Sequence, residues 1–420
     1  MRLQSILRHV HPIPGFVYGH VELLARGAAM ELHVHVRPRQ RCRAVCSGCG
    51  KKRPGYDTLE PRRFSFVPLW GMAVVLWYAM RRVDCRPCGA VTVELVPWAS
   101  GSSPQTHALA WFLASWAKVL SWKETARRFQ TSWDSVQRAV EHAVRWGIEH
   151  RSLDGIASIG VDELAWKKGH KYLTLVYQLD HGCRRLLHIS RARTAQSFHS
   201  FFDMLGDERA RRIQFVASDM WAAFINVVRA RCGSAVHVLD RFHVVALLSK
   251  AVDETRRQEV RRLRTKGKHV ALTKTRWVLL KRKRNLTGQQ RVRLRELLTW
   301  NLRTVRAYLL KEEFQHFWTY TTAWAGRRFL ASWTREALRT RIDPLKKFAR
   351  TLRAHEPELL NWFRARGQFA AGATEGFNNK ARITTRKAYG FRTYEHAEIA
   401  LYHSLGNLPE PEWLTHKFTG

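Results

Sequence analysis

The chain has 420 residues, of which 45% are hydrophobic and 11% aromatic, so wholesale disorder is excluded and two or three packed domains are expected. Its 72 Lys and Arg outnumber 34 Asp and Glu, a formal net charge of +38, and self-repulsion on this scale favours a polyanionic partner. Nucleic acid is the leading candidate for that partner, and an acidic membrane surface is the alternative.

The sequence gives the membrane alternative little support. The longest apolar run, residues 71–80, falls well short of the ~20 residues that a spanning helix needs, and residues 1–16 lack the pattern of a signal peptide. Five of the seven cysteines lie within the first 88 residues, which suits metal ligation in a reducing cytosol better than a disulfide framework. We therefore expect a cytoplasmic, nucleoid-associated protein that makes no membrane contact.

Changes in composition divide the chain into five segments. Residues 1–98 carry the cysteine cluster among β-like runs, and residues 99–152 are strongly helical. Residues 153–249 alternate between β-branched runs and helical patterns, residues 250–369 are helical throughout, and residues 370–420 contain a late helix. The third segment predicts an α/β layout with strands at 156–166, 172–179, 185–189, 213–217 and 236–239 and helices at 195–205 and 221–231.

Two C-x2-C-G turns, Cys46 to Cys49 and Cys85 to Cys88, predict a zinc site. Zinc takes four thiolates in a tetrahedron, each turn supplies two of them, and the glycines let the backbone fold around the metal. Paired buried cysteines without a metal are the alternative, which the doubled motif disfavours. Cys42 competes as a ligand, although its C-x3-C step to Cys46 makes a poorer turn, so the fourth ligand stays open.

Residues 116–146 predict two helices separated by a short break. Ser121 and Glu124 form a capping box for the first helix, and Ser132 can cap the second. The second helix has a small, apolar inward face and a polar, cationic outward face, as a major-groove recognition helix requires. The outward residues are Trp133, Ser135, Gln137 and Arg138. An ordinary helical hairpin fits this pattern equally well, but the basic chain and the adjacent cysteine turns favour DNA binding.

Acidic residues within or directly after apolar strands indicate a catalytic site. Asp162 and Glu163 are neighbours on a predicted strand, so they face opposite ways and we expect Glu163 to point away. Asp219 follows the fourth strand, where capping of the next helix is an alternative role. Glu375 lies on the late helix, and Asp240 ends the fifth strand and is expected outside the site. If Asp162, Asp219 and Glu375 converge, they can hold two Mg²⁺ ions about 4 Å apart, as in-line phosphoryl displacement requires.

Several motifs between Cys46 and His403 occur in a recognisable order. They are the two cysteine turns, G-V-D-E-L-A-W-K-K-G-H-K-Y (160–172), D-H-G-C-R-R-L-L (180–187), S-D-M-W (218–221), L-D-R-F-H (239–243), T-E-G-F-N-N-K (374–380) and Y-G-F-R (389–392). This order resembles the DDE transposases of bacterial insertion sequences, specifically the group called IS-L-three.

The resemblance implies an RNase H-like catalytic domain with an α-helical insertion before the glutamate helix. The implied triad is Asp162, Asp219 and Glu375, with Mg²⁺ or Mn²⁺ as the cofactor. The five segments become a zinc-binding module, a helix-turn-helix, the first part of the catalytic domain, a basic insertion and the second part of the catalytic domain. The implied activity is cleavage of DNA at terminal inverted repeats and transfer of the 3′-OH to target DNA, by a homodimer or a higher assembly on DNA.

The basic insertion is most strongly charged at residues 250–300, where 17 Lys and Arg face four Asp and Glu. A charge run is usually a solvated helix face, but the density of this one, beside Trp277 and Trp300, favours contact with DNA phosphates. The densest part consists of Lys281, Arg282, Lys283 and Arg284.

Two other functions compete with the transposase. A zinc and helix-turn-helix regulator without catalysis explains the charge and the cysteines but leaves the three acids without a role. An RNase H-like nuclease that hydrolyses DNA without strand transfer uses the same acids, and only the resemblance separates it from a transposase. Terminal inverted repeats flanking the gene would decide between these two.

Overall fold

A computed structural model of the chain describes residues 2–27, 29–167, 169, 171–265, 272–365 and 373–415. Of residues 26, 29, 373–375, 414 and 415 only the backbone is described. None of the helices formed within these ranges is both long and apolar enough to cross a membrane.

The amino-terminal region contains a twisted sheet preceded by a short helix. Its elements are α1 (Leu3–Val10), β1 (Phe16–Arg26), β2 (Ala29–Pro38), β3 (Ala44–Val45), β4 (Lys52–Arg53), β5 (Gly55–Leu69), β6 (Met72–Cys85), a 3-10 turn (Arg86–Cys88) and β7 (Ala90–Val93). The sheet has the order β1-β2-β6-β5 with β7 also on β6, and β3 pairs with β4. Trp98 closes the core by packing edge-on against Phe16, Phe64 and Tyr78, with ring centroids 4.8, 5.9 and 5.2 Å away.

Three helices follow, and each begins at a hydroxyl side chain that accepts a backbone N–H from its first turn. They are α2 (His107–Val119), α3 (Trp122–Arg128) and α4 (Trp133–His150). Ser121 accepts from the N–H of Glu124 at 3.2 Å, and Ser132 accepts from that of Ser135 at 3.1 Å. The predicted helix pair and the caps by Ser121 and Ser132 are therefore confirmed. The predicted capping box is formed only in part, because the carboxylate of Glu124 pairs with Arg127 at 2.5 Å.

The central sheet has the predicted order of elements. They are β8 (Ser158–Lys167), β9 (Lys171–Gln178), β10 (Arg185–Arg191), α5 (Ala195–Leu205), α6 (Asp207–Ala210), β11 (Phe215–Ser218), α7 (Ala222–Arg231) and β12 (Val236–Leu239). The strand order is β10-β9-β8-β11-β12, in which β8 pairs antiparallel with β9 and parallel with β11. The short α6 is the one element of this region that the sequence did not predict.

The segment after β12 is helical, as predicted. It contains α8 (Arg241–Arg264), α9 (Arg276–Leu280), a 3-10 turn (Lys283–Asn285), α10 (Gly288–Leu298), α11 (Arg303–Phe314), a second 3-10 turn (Gln315–Thr319), α12 (Ala323–Arg339), α13 (Asp343–Ala354) and α14 (Glu356–Arg364). Trp333, 1% exposed, packs against Phe314 and Phe348 at centroid distances of 4.9 and 5.8 Å. The amide of Asn361 donates to the backbone carbonyl of His237 at 2.8 Å, which ties α14 to β12.

The chain returns to the central sheet through α15 (Ala373–Lys387) and α16 (Tyr394–Leu405), followed by the short α17 (Glu412–Thr415). Phe377 stacks on Tyr177 of β9 at a centroid distance of 4.6 Å, and the hydroxyl of Tyr402 donates to the carbonyl of Leu187 at 3.4 Å. Apolar residues of α4, α15 and α16 thus cover one face of the sheet, and those of α5 and α7 cover the other. The central region is a three-layer α/β structure.

Candidate active site and cysteine cluster

Asp162 is a buried carboxylate in the middle of β8, with only 7% of the residue exposed. One carboxylate oxygen accepts the side-chain amide of Asn378, and the same oxygen lies 3.4 Å from Nε2 of His243. The other oxygen accepts the backbone N–H of Glu163 at 2.6 Å. Three elements, β8, α15 and α8, therefore meet at one carboxylate.

His243 provides positive charge beside this carboxylate. Burial opposes protonation of the imidazole, but the hydrogen bond and the charge of Asp162, together with the charges of Asp240 and Asp219, raise the pKa of His243 to about 9. The raised pKa favours a protonated His243 beside Asp162 at neutral pH. Asp240 accepts the backbone N–H of Phe242 at 2.8 Å and so caps α8, the helix that carries His243.

Asp219 directly follows β11, next to Asp162. One oxygen accepts the backbone N–H of Trp221 at 3.0 Å, so the capping role that the sequence left open is present. The other oxygen lies 3.6 Å from the guanidinium of Arg193. Burial raises the pKa of Asp219, and the nearby charge of Asp162 acts in the same direction. Asp219 thus both caps the start of α7 and lies close enough to Asp162 for the two charges to interact.

Glu163 lies close to the other acids, against the expectation that it points away. Its carboxylate pairs with Arg193, which also contacts Asp219 and stacks over the ring of Trp221 at 4.8 Å. Burial raises the pKa of Glu163 to about 7, although the charge of Arg193 opposes this. Strand alternation does direct Glu163 away from α15. The pairing of β11 with β8 ends at Gly160, however, and Asp219 follows the end of β11. Asp219 therefore lies beside the part of β8 that β11 does not pair with, which is the part that carries Glu163.

Glu375 lies in the first turn of α15, and its side chain is outside the described residues. Three residues further on, the side-chain amide of Asn378 donates to Asp162 through its nitrogen, and its Oδ1 accepts the hydroxyl of Tyr177 at 3.3 Å. This chain of hydrogen bonds fixes α15 against β8 and β9. Sequence reasoning overlooked Tyr177 and Arg193, since neither the aromatic residue in an apolar strand nor one arginine among many carries a local signal.

The four predicted zinc ligands lie together. Their sulfur atoms are all within 4.8 Å of one another, with Cys49 to Cys85 at 3.6 Å and Cys46 to Cys88 at 3.9 Å. The glycines that follow the two pairs both adopt positive φ, 67° at Gly50 and 63° at Gly89, as the predicted tight turns require. This arrangement is compatible with a zinc module.

Cys42 is not part of this group among the residues described. Its sulfur lies 3.8 Å from the carbonyl oxygen of Arg43.

The predicted outward residues of α4 differ in exposure and partners. Arg138 is exposed, the amide of Gln137 donates to Glu141 at 3.0 Å, and the hydroxyl of Ser135 lies 2.9 Å from that of Ser132. Trp133 differs, because its half-exposed ring packs beside Trp122 and His396, at centroid distances of 5.5 and 5.2 Å.

The basic tetrad Lys281, Arg282, Lys283 and Arg284 connects α9 to α10. Lys311, 2% exposed, donates to the carbonyls of residues 279, 280 and 281 at 2.8, 3.3 and 3.3 Å and so holds the end of α9. Burial lowers the pKa of Arg241, and the charges of Arg282 and Arg284 lower it further. The charges of Arg282 and Arg284 thus act on the first residue of α8, the helix that carries His243.

Comparison with known proteins gives the class. Residues 159–401 match the family model of the IS-L-three DDE transposases, described as transposase. The chain is 30% identical over 368 residues to the transposase for insertion sequence element IS1001 of Bordetella parapertussis, covering 87% of this chain and 89% of that protein. It is 31% identical over 401 residues to the transposase for IS1557 of Mycobacterium tuberculosis, covering 89% and 88%.

The chain therefore belongs to the IS-L-three family of DDE transposases. It is an insertion-sequence transposase, an enzyme that cleaves DNA and uses a divalent metal ion. The regulator without catalysis is not favoured.

The hydrogen bond from Asn378 to Asp162 generates the first prediction. Replacing Asn378 with Ala removes a donor from a buried carboxylate and loosens α15, and we expect DNA cleavage to slow by at least about tenfold with little change in DNA affinity. Asn379→Ala is the matched control, because Asn379 is the exposed neighbour on the same helix. Cleavage rates and binding constants of both variants check this, and equal rates for the two would contradict it.

Proposed function

We propose that Asp162, Asp219 and Glu375 are the catalytic acids of this transposase. The observation that carries the proposal is the burial of Asp162 in the middle of β8, where α15 is attached through Asn378 and Asp219 lies at the end of the neighbouring strand. Glu375 precedes Asn378 by three residues, and helical periodicity gives positions three apart a shared face. The geometry of Asp162 and the motif T-E-G-F-N-N-K together support this assignment.

We also propose that residues 153–249 and 370–420 form one RNase H-like domain, which residues 250–369 interrupt. The strand order β10-β9-β8-β11-β12, with three antiparallel strands followed by two parallel ones, supports this fold. Attachment of α15 to β8 and β9 supports the union of the two parts. Residues 1–98 and 99–152 are then the zinc-binding and helix-turn-helix modules.

The donor chemistry of the proposed acids supports Mg²⁺ or Mn²⁺ as the cofactor, because such ions prefer carboxylate oxygens. In the structure His243 and Arg193 provide the positive charge beside Asp162 and Asp219. When bound, the metal ions would polarise the scissile phosphodiester and activate the attacking hydroxyl. Asn378 holds Asp162 in place, and Arg193 holds Asp219 and Glu163. The proposed reaction is hydrolysis of a phosphodiester that frees a 3′-OH at the element end, followed by attack of that 3′-OH on a target phosphodiester, which joins the element to the target strand and releases a 3′-OH of the target.

The catalytic acids are tested by removing each carboxylate. Asp162→Ala, Asp219→Ala and Glu375→Ala should each abolish cleavage and strand transfer, because the metal loses an oxygen ligand, while binding to the terminal inverted repeats persists. Asp207→Asn, on the exposed α6, is the control and should retain activity. Gel assays of cleavage and joining with Mg²⁺ measure this, and an active Asp219→Ala variant would overturn its place in the triad.

We propose that Cys46, Cys49, Cys85 and Cys88 bind one Zn²⁺. Their paired turns and the proximity of all four sulfurs support four-thiolate ligation. Cys85→Ser should lower bound zinc from about one per chain to near zero and lower the melting temperature, because metal binding stabilises such a module. Elemental analysis of the purified protein measures the zinc content. Cys42→Ser is the matched control, and loss of zinc in that variant would contradict the assignment.

We propose two DNA-contacting surfaces with different roles. The outward face of α4, through Trp133, Ser135, Gln137 and Arg138, reads the element end, and the basic tetrad contacts phosphates. The exposed Arg138 in the second turn of the hydroxyl-capped α4 supports the first role, and the concentration of four positive charges in the tetrad supports the second. We propose a homodimer or higher assembly that holds the terminal inverted repeats and the target DNA, within the nucleoid.

Salt dependence distinguishes the two surfaces. Replacing all four residues of the basic tetrad with Gln should weaken binding to any duplex and reduce the slope of log K against log salt by up to about 3.6, at ~0.9 for each phosphate that is no longer neutralised. Gln137→Ala or Arg138→Ala should instead reduce the preference for element ends over random DNA. Fluorescence anisotropy at several salt concentrations measures both effects, and the reverse result would exchange the two roles.

A further inference from the structure

A large cleft separates the helix pair α3–α4 from the connection between α15 and α16. Its volume is about 1170 Å³, above the ~300–1,000 Å³ typical of small-molecule sites. One wall is formed by the starts of α3 and α4, and the opposite wall includes the Y-G-F-R motif at residues 389–392. We refer to it as the Tyr389 cleft. None of the catalytic or DNA-contacting roles proposed above uses residues 389–392.

The walls of the Tyr389 cleft are aromatic and cationic. Trp122, Trp133 and His396 form a ring cluster on one side, with centroid distances of 5.2 to 6.1 Å. Four Lys or Arg residues border the cleft against one acid, Glu124, which is paired with Arg127. Rings together with positive charge match the bases and phosphates of single-stranded nucleic acid.

Tyr389 combines an almost fully exposed side chain with a left-handed backbone conformation. The residue is 99% exposed, and its backbone has a φ of 54°, a conformation that is rare for a bulky side chain. Its N–H donates to the carbonyl of Arg386 at 2.9 Å, and the N–H of Gly390 donates to that of Thr385 at 3.0 Å. The end of α15 therefore holds the phenol ring in solvent, although the backbone conformation is unfavourable.

Tyr389 also contributes to a cavity beside β8, the strand that carries Asp162. Together with Gly390 it borders a second cavity, of about 400 Å³, whose wall includes Leu164 and Ala165 of β8. Leu164 follows Asp162 by two residues, about 7 Å along the strand. In addition, Nζ of Lys167 donates to the carbonyl of Arg392 at 3.3 Å, which ties the motif to the end of β8. A DNA strand running from α4 towards Asp162 would pass this loop.

We propose that the Tyr389 cleft binds an unpaired nucleotide at the element end, with the ring of Tyr389 stacked on its base. This inference rests on the proposed function, since it requires DNA held between α4 and the catalytic acids. Charge complementarity favours DNA over a protein segment as the occupant. An intact duplex keeps its bases stacked on one another, so only an unpaired nucleotide can present a base to the ring.

The test compares two DNA probes with one protein at a time. The first probe is a blunt duplex of the terminal inverted repeat, and the second is the same duplex with a three-thymidine 3′ overhang. Tyr389→Ala should weaken binding of the overhang probe by at least about fivefold, because one base no longer stacks on a ring, and leave blunt-duplex binding within about twofold. Tyr389→Phe keeps the ring and should bind both probes as the unaltered protein does. Fluorescence anisotropy gives the binding constants.

Trp70→Ala is the matched control, because Trp70 is an exposed aromatic residue, also at positive φ, between β5 and β6. It should bind both probes normally. Equal losses of affinity on both probes, no loss on either, or a Tyr389→Phe variant as weak as Tyr389→Ala would overturn the proposal. A Tyr389→Ala variant that fails to self-associate in light scattering would also overturn it, in favour of a second copy as occupant. The assay measures binding alone, so inactive or misassigned catalytic acids leave its result unaffected.

Discussion

The buried negative charge of Asp162 is the constraint on which the catalytic region depends. A carboxylate inside a sheet costs several kcal/mol unless cations and hydrogen-bond donors compensate it. The compensating groups are the amide of Asn378 from α15 and the imidazole of His243 from α8, two residues that lie on opposite sides of the basic insertion in the chain. Satisfying one charge therefore fixes where both helices lie against β8.

The same two helices, α8 and α15, also connect to the basic tetrad and to the Tyr389 cleft. Asp240 caps α8, and Arg241 at its start lies within electrostatic reach of the basic tetrad, which Lys311 supports from α11. At the other end, α15 leads from Asn378 to the Tyr389 cleft, where α16 meets α4 through the rings of Trp133 and His396. The groups proposed to contact DNA are thus connected through α8 and α15 to the residues that contact Asp162, although they come from separate segments of the chain.

Features that depend on local sequence were predictable, and those that depend on tertiary contacts were not. The strands of the central sheet, the caps Ser121 and Ser132 and the two cysteine turns follow from alternation, hydroxyl positions and spacing over a few residues. The grouping of Glu163 with Asp219 does not, because it depends on where the pairing of β11 with β8 stops. Arg193 and Tyr177 likewise act only through partners distant in sequence. The orientation of Trp133 towards His396 belongs to the same class.

The length of chain between the partners in the central site has a consequence for biosynthesis. Asn378 follows its partner Asp162 by 216 residues, and the basic insertion is made between them. A nascent or truncated chain that ends within the insertion after residue 284 already contains the cysteine cluster, α4 and the basic tetrad, but it lacks α15. Such a product retains the segments proposed to contact DNA, yet it lacks Asn378, the partner of Asp162, and Glu375, the proposed third acid. Translation thus delivers the proposed DNA-contacting surfaces first and the proposed catalytic glutamate last, so under this assignment premature termination removes cleavage before it removes DNA binding.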